Sequence, residues 1–216
     1  MSTVSLLRKI EEPEHTNDPT VGDGFDLPRL ERAIREMLFA VGEDPDRDGL
    51  RDTPRRVARA YRELLCGLHD DPARHLGRVF EHPTDRNDLV LVRDIEFSSI
   101  CEHYLLPFNG TAQVAYLPAR GRVVGLSKIA RTVDVFARRP QLQERLTADI
   151  ADAIASHLEA RAVAVVIRAE HLCLRMRGAA KRGADMVTTA FRGEFERNQA
   201  LRAEALGLLR PHGGMS

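Results

Sequence analysis

The spacing of apolar residues changes along this chain, and that change limits the possible folds more than any other feature. Before residue 70 apolar residues recur three or four positions apart, as on the buried face of a helix. Between residues 89 and 117 they largely alternate, as in strands, and after residue 126 the helical spacing returns. The segment 162–169 (AVAVVIRA) is typical of a buried strand. This order of elements predicts an α+β fold with an antiparallel sheet.

Turn and capping residues set the bounds of the predicted elements. A first helix begins near Asp26, and Thr53 caps a second helix whose first position is Pro54. Asn109-Gly110 predicts a turn between two strands. The other predictions are strands over 89–97, 112–116, 162–169 and 186–195 and helices over 127–138, 142–158 and 199–209. We therefore expect three parts: a flexible tail over 1–25, an N-terminal helical region over 26–85 and a main domain over 86–216.

Charge and cysteine content argue against several classes of function. The 32 Lys and Arg residues balance 32 Asp and Glu residues, which is unlike a nucleic-acid-binding protein. No apolar segment approaches the roughly 18 residues that cross a bilayer, and none near the start resembles a secretory signal. We therefore expect a cytoplasmic protein with no nucleic-acid or membrane partner. An odd, sparse set of cysteines indicates buried thiols or metal ligands rather than disulfides.

Two segments each place a cysteine and a histidine near the end of a predicted strand. Cys101 and His103 follow one strand, and His171 and Cys173 follow another. If these strands are neighbours, two thiols and two imidazoles converge, and these groups are the usual ligands of zinc. Two buried cysteines with two surface histidines would give the same spacing. The spacing alone therefore leaves both a zinc site and a purely structural role open.

Charged and polar residues cluster at two predicted helix starts. Ser127, Lys128 and Arg131 begin one helix, and Gln143 and Glu144 begin the next. A helix N-terminus with nearby Lys and Arg attracts anions. A glutamate there can accept two N–H donors, such as those of guanine. The alternative interpretation is a solvated charged face.

Six stretches of the sequence together resemble the GTP cyclohydrolase I family. They are TPRRVARAY, CEH, LLPFNGTAQVAYLP, VVGLSKIARTV, FARRPQLQERLT and HLCLRMRG, and the resemblance extends from about Leu30 to Leu209. It implies the tunnelling fold, with an antiparallel four-stranded sheet, two helices on one face and a preceding N-terminal helical hairpin. It also implies a homodecamer of two stacked pentameric rings, with active sites at subunit interfaces.

The resemblance further implies a reaction and a set of site residues. The family converts GTP to 7,8-dihydroneopterin triphosphate and formate in tetrahydrofolate biosynthesis. Zinc activates the water that attacks C8 of guanine, and ring opening, deformylation, an Amadori rearrangement and ring closure follow. The matching residues are Cys101 and Cys173 for zinc; His103, His171 and Ser127 for catalysis; Glu144 and Gln143 for guanine; Ser127, Lys128, Arg131 and Arg177 for the triphosphate; and Arg56 and Arg59 as further basic residues from the N-terminal helices.

One matching position departs from the family pattern Cys-Glu-His-His. Its second histidine, the third zinc ligand, is replaced by Tyr104. Tyr104 could coordinate as a phenolate, or water, His103 or His171 could replace the missing imidazole. Zinc could also bind weakly or not at all, and Tyr104 could be a neutral aromatic filler. Two alternatives to the full reaction therefore stay open: a cyclohydrolase that stops at a formamidopyrimidine nucleotide, and a non-catalytic GTP-binding paralogue.

Overall fold

The computed structural model describes residues 24–77, 79–81 and 88–209. The predicted tail over 1–25 lies outside the described residues apart from its last two positions. The helices are α1 (Leu27–Ala40), α2 (Thr53–Leu64), α3 (Pro72–Leu76), α4 (Leu126–Ala137), α5 (Gln143–Leu158), α6 (Leu172–Arg175), α7 (Glu194–Arg197) and α8 (Gln199–Leu208), with a 3₁₀ turn at Cys66–His69. The strands are β1 (Val79–Glu81), β2 (Val90–Cys101), β3 (Pro107–Leu117), β4 (Arg122–Val124), β5 (Pro140–Gln141), β6 (Ala162–His171) and β7 (Met186–Gly193).

The two predicted N-terminal helices are present and begin where the capping residues indicate. α1 follows Asp26, whose carboxylate accepts the backbone N–H of Arg29 at 2.9 Å. α2 begins at Thr53, although Asp52 rather than Thr53 is its N-cap. In the described ranges, no helix has the length and apolar content needed to span a bilayer.

The main sheet has the strand order β5-β2-β3-β6-β7. The pairs β2–β3, β3–β6 and β6–β7 are antiparallel, which confirms the predicted four-stranded antiparallel sheet. β5 was not predicted; it adds a two-residue parallel pairing beside the end of β2, where Cys101 lies opposite Gln141. β1 and β4 form a separate small antiparallel pair.

The face of the sheet toward α4 and α5 carries the main core. Fully buried side chains meet there from both layers: Ile129, Val133, Leu146, Ile150, Ile154, Val114, Tyr116, Val163, Val165 and Ile167. Truncating one such side chain to alanine typically costs about 2–5 kcal/mol. A smaller cluster with Phe195 and Leu209 covers part of the opposite face, around Leu117. The helix layer therefore supports the end of the sheet where β2 and β6 finish.

The predicted turn at Asn109-Gly110 is wrong, because both residues lie within β3. Gly110 pairs with Phe97 on one side and Ala169 on the other. A Cβ on Gly110 would lie 2.1 Å from the carbonyl oxygen of Arg168. Glycine is therefore needed for the close approach of two strands, which the sequence alone cannot distinguish from a turn.

The turn between β2 and β3 lies instead directly after Cys101. The backbone N–H of Leu105 donates to the carbonyl of Cys101 at 2.8 Å, and that of Cys101 donates to Leu106 at 2.9 Å. Leu105 has φ 53°, in the left-handed region that non-glycine residues seldom adopt. This tight turn projects His103 and Tyr104 from the end of the sheet into solvent.

Candidate active site

Two cysteine thiols meet at the end of the sheet. Cys101 is the last residue of β2 and is 5% exposed, whereas Cys173 lies in α6 immediately after β6. Burial raises the pKa of the Cys173 thiol, and the neighbouring charge of Cys101 and a side-chain hydrogen bond with it raise that pKa further. The two segments that each carry a cysteine and a histidine therefore do converge. Binding of a cation to these thiols would have to displace their protons.

His171 ends β6 and is fixed by two neighbours. Its ring stacks on that of Phe108, its partner across the β3–β6 ladder, with centroids 4.5 Å apart and planes inclined by 3°. Its Nε2 lies 2.8 Å from Oε1 of Gln143. Burial lowers the pKa of His171, against an opposing effect of the Glu144 charge, so the neutral imidazole is favoured.

The amide of Gln143 determines which nitrogen of His171 carries the hydrogen. Its Nε2 lies 3.1 Å from the carbonyl oxygen of Ile167 and 3.0 Å from that of Met186. Carbonyl oxygens only accept hydrogen bonds, so this atom must be the amide nitrogen, and Oε1 must be an acceptor. His171 therefore donates through Nε2, and Nδ1 is the nitrogen left for other contacts.

Two threonines extend this network in a single direction. The Thr147 hydroxyl donates to the backbone carbonyl of Gln143 at 2.7 Å. It has no second hydrogen, so in the 2.6 Å contact between the two hydroxyls Thr188 is the donor and Thr147 the acceptor. Thr188 in turn accepts from the amide nitrogen of Gln143 at 3.1 Å. The two hydrogens of the Gln143 amide nitrogen are thus shared among three acceptors, which holds the amide in the orientation that presents Oε1 to His171.

Gln143 and Glu144 are neighbours in the first turn of α5 but have different surroundings. Gln143 is 1% exposed and its amide is fully engaged by the protein, so its side chain supports His171 from behind. Glu144 is exposed and, within the described part of the chain, forms no ion pair. Its carboxylate is thus available to a ligand, and its negative charge acts to raise the pKa of His171.

The turn after β2 forms an exposed side of the same site. Tyr104 is 54% exposed, and the Cζ atom of Arg177 lies 4.4 Å from the centroid of its ring. The rings of His103 and Tyr104 meet edge to face at 6.5 Å. An ion pair between Glu102 and Arg145 ties this turn to α5.

Sequence reasoning missed several of these supporting residues. Phe108, Thr147, Thr188 and the Glu102–Arg145 pair act through neighbours that are distant in sequence. Thr188 would have been recognisable only from its register opposite Ile167, which requires knowledge of the β6–β7 pairing.

The structure does not bring the remaining predicted site residues to this end of the sheet. Ser127 and Lys128 lie in the first turn of α4, after β4, whereas the last turn of α4 leads back toward β5 and Cys101. With 12 residues, α4 is about 18 Å long. Arg131 lies one turn further along α4. Arg56 in α2 pairs with Asp52 at 3.1 Å, and Arg59 is exposed on the same helix.

A separate cleft among the described residues contains none of the predicted site residues. It has a volume of about 860 Å³ and is lined by residues of α2 and α4 and by polar side chains of β2, β3 and β6, the latter including Glu96, Thr111 and Arg168. These residues are paired across the strands and so lie on one face of the sheet. Phe108 and His171 lie on the other face, toward α5.

The donor set meets the requirements of zinc only in part. Cys101 and Cys173 are two thiols of the kind that select zinc over magnesium or calcium. Among the residues that the structure describes, no cluster of three or more His, Cys, Asp or Glu side chains is arranged to hold a metal ion. Two soft donors are therefore present, and the third position carries the exposed Tyr104 ring.

The strand order, together with α4 and α5 on one face, defines a tunnelling-fold protein, as the sequence resemblance implies. The family model of GTP cyclohydrolase I matches residues 30–210. The GTP cyclohydrolase 1 of Mycobacteroides abscessus is 56% identical over 200 residues, which cover 92% of this chain and 97% of that protein. The GTP cyclohydrolase 1 of Mycobacterium leprae is 57% identical over 186 residues, covering 86% and 90%.

The chain belongs to the GTP cyclohydrolase I family. A remote likeness also exists to the crystal structure of the archaeosine synthase QueF-Like in the apo form. It has 20% identity and a TM-score of 0.42 and covers 51% of this chain and 97% of that one.

Proposed function

We propose that this chain hydrolyses the guanine ring of GTP at C8, releases formate and forms 7,8-dihydroneopterin triphosphate. The observation that carries the proposal is the arrangement at the end of the sheet. There, a histidine whose Nδ1 is available lies near Glu144, which forms no ion pair among the residues that the structure describes. The relatives that match most of this chain are themselves described as GTP cyclohydrolase 1.

Glu144 is the proposed anchor for guanine. Its carboxylate is exposed at the N-terminus of α5, and two carboxylate oxygens can accept two N–H groups from one edge of guanine. Because Glu144 forms no ion pair among the described residues, and the adjacent Arg145 pairs with Glu102, such bonds would not have to replace an existing ion pair.

His171 is the proposed proton carrier for the purine. Gln143 holds its Nε2–H, so Nδ1 accepts a proton and returns it to the bound ring. Stacking on Phe108 limits rotation of the imidazole and keeps Nδ1 in one direction. His103, in the exposed turn, is the proposed second catalytic histidine.

Cys101 and Cys173 would hold zinc, as in the family. When bound, zinc would supply a water activated for attack at C8. The residues of this chain contribute the two thiols, which are near enough for Cys101 to raise the pKa of Cys173.

Residues at the far end of α4 are proposed to reach the site from a neighbouring subunit. Ser127 and Lys128 lie in the first turn of that 12-residue helix, which is about 18 Å long, whereas its last turn leads to β5 beside Cys101. A homo-oligomer, with the decamer of the family as its expected form, would place them beside another copy's Glu144. Lys128, Arg131, Arg177, Arg56 and Arg59 are then the proposed cations for the triphosphate, with Ser127 near the ribose. We propose a cytoplasmic location on the same resemblance.

Product analysis tests this function. The purified protein is incubated with GTP, formate is measured, and the nucleotide product is identified by mass spectrometry. We expect one formate and one dihydroneopterin triphosphate per GTP. Glu144→Ala should abolish most of this turnover, whereas Glu204→Ala, an exposed glutamate in α8, should leave it unchanged.

The two alternative functions correspond to other outcomes of the same experiment. A ring-opened formamidopyrimidine nucleotide without formate would show that the reaction stops early. Bound GTP without any product would show a binding protein. Either result would overturn the proposed reaction.

A further inference from the structure

We propose that Tyr104 is a positioning residue that holds the guanidinium of Arg177 over its ring, and that it is not a metal ligand. The inference rests on the proposed function in one respect, which is that Arg177 meets the phosphates of the substrate. It assigns a use to the position where this chain departs from the family pattern.

The contact between the two side chains has the geometry of a cation–π interaction. The Cζ atom of Arg177 is 4.4 Å from the centroid of the Tyr104 ring, well inside the roughly 6 Å range of such contacts. The ring also meets His103 edge to face, with an interplanar angle of 87°. Tyr104 is therefore held between two neighbours even though 54% of it is exposed.

Arg177 differs in its pairing from the arginine two residues earlier. Arg175 forms an ion pair with Glu170. Arg177 is exposed and, among the described residues, has no carboxylate partner. Its charge is thus oriented by an aromatic face and is not neutralised.

This difference matters for the binding of anions. A carboxylate on Arg177 would compete with phosphate for the same N–H donors. A ring face restricts the rotation of the guanidinium and leaves those donors free. The pair is therefore suited to presenting a cation to a phosphate group, because the Arg177 side chain is already partly ordered before the ligand binds.

The same geometry argues against a role for Tyr104 as a ligand. Cys101 is 5% exposed, whereas more than half of Tyr104 is in water. A phenolate that joins the buried Cys101 in a metal site would itself be drawn out of water. The structure instead places the ring in the exposed turn, with its face against the Arg177 guanidinium.

The test compares four variants of the full chain: Tyr104→Phe, Tyr104→Leu, Arg177→Ala and the double variant Tyr104→Leu/Arg177→Ala. The dissociation constants of GTP and of guanosine are measured by ultrafiltration, and zinc per chain is measured by elemental analysis after dialysis. Met176→Ala, an exposed neighbour of Arg177, is the control for general disturbance of the loop.

We expect Tyr104→Leu to raise the dissociation constant of GTP about two- to fivefold, the size of an exposed cation–π contact, and to leave that of guanosine unchanged. Tyr104→Phe should resemble the wild type because it keeps the ring. Adding Tyr104→Leu to Arg177→Ala should have no further effect, because Tyr104 acts through Arg177. Zinc content should be the same in the wild type, Tyr104→Phe and Tyr104→Leu.

Several results would overturn the inference. Loss of zinc in Tyr104→Phe would make the phenol oxygen a ligand. An unchanged GTP dissociation constant in Tyr104→Leu, alongside weaker binding in Arg177→Ala, would remove the positioning role alone. If Arg177→Ala itself leaves GTP binding unchanged, the proposed contact of Arg177 with the phosphates fails, and the positioning role fails with it. Formate release tests the reaction independently of all these results.

Discussion

The two histidine-bearing parts of the candidate site are built differently. The inner corner, formed by His171, Gln143 and Phe108, is largely buried and fixed by directed hydrogen bonds and a stacked ring. The outer corner, formed by His103, Tyr104 and Arg177, is exposed and held by ring contacts and a cation over a ring. Such a difference suits two tasks. Proton transfer needs an atom in one place, whereas capture of a flexible polyphosphate needs charge near the surface.

The thiols connect the two corners, so their removal should have the largest effect. In a Cys101→Ala/Cys173→Ala variant we expect zinc to be lost and formate release to fall to background. Elemental analysis and the formate assay measure both. Cys66→Ala is the matched control, since Cys66 is an exposed free cysteine outside the site. Undiminished zinc in the double variant would contradict the assignment of these ligands.

Gln143→Leu should disturb the orientation of His171 in the inner corner and leave the outer corner unchanged. The change removes the acceptor for His171 and leaves the buried carbonyls of Ile167 and Met186 without their donor. We expect kcat to fall about 100-fold, the lower end of what a positioned acid–base group contributes, with little change in the KM for GTP. The wild type should show the Nε2–H tautomer of His171 in ¹⁵N NMR spectra.

Thr188→Ser keeps the hydroxyl that accepts from Gln143 and is the matched control for this variant. It should retain both the tautomer and the rate. An Nδ1–H tautomer in the wild type would contradict the directed network.

Glu144→Ala should separate recognition of guanine from recognition of phosphate. One hydrogen bond to a charged group is worth about 1.5–3 kcal/mol, so the loss of even one of the two bonds should weaken GTP binding roughly 10- to 150-fold. Binding of inorganic tripolyphosphate, measured by calorimetry, should not change. An unaltered dissociation constant for GTP would refute the role of Glu144 as the guanine anchor.

Tyr104→His should have the smallest effect and would make the outer corner more like the family pattern. An imidazole there offers zinc a third protein ligand, so we expect more zinc to be retained during dialysis against a chelator. Formate per GTP should rise if zinc limits the reaction. If the wild type already holds one zinc per chain and makes the full product, and the variant changes neither, the metal site is complete without a ligand at this position.

The sequence predicted the elements well because their signals are local. Helical spacing and capping located α1 and α5, and a run of apolar residues located β6. The Asn109-Gly110 prediction failed because glycine is required there by a neighbouring strand: a Cβ on Gly110 would lie 2.1 Å from the Arg168 carbonyl oxygen. From the residue type alone, a glycine required by a turn cannot be distinguished from a glycine required by the close approach of another strand.

The candidate site was predictable in its reactive groups and less so in their support. Cys101 and His171 stand at strand ends, where their types and positions are visible in the sequence. The network through Thr147 and Thr188 depends on β6–β7 register, and the separation of Ser127 from Cys101 depends on the direction of α4. These relations exist only after the chain has folded.

The first turn of α5 has a consequence for selectivity. Gln143 and Glu144 are consecutive, about 100° apart around the helix axis, so one points into the sheet and the other into water. A nucleobase that pulls on Glu144 therefore pulls on the same rigid turn that orients His171. Recognition of the base and orientation of the proton-transferring imidazole therefore depend on the same helical turn. A ligand that binds the Glu144 carboxylate in the wrong geometry would also meet a misaligned His171.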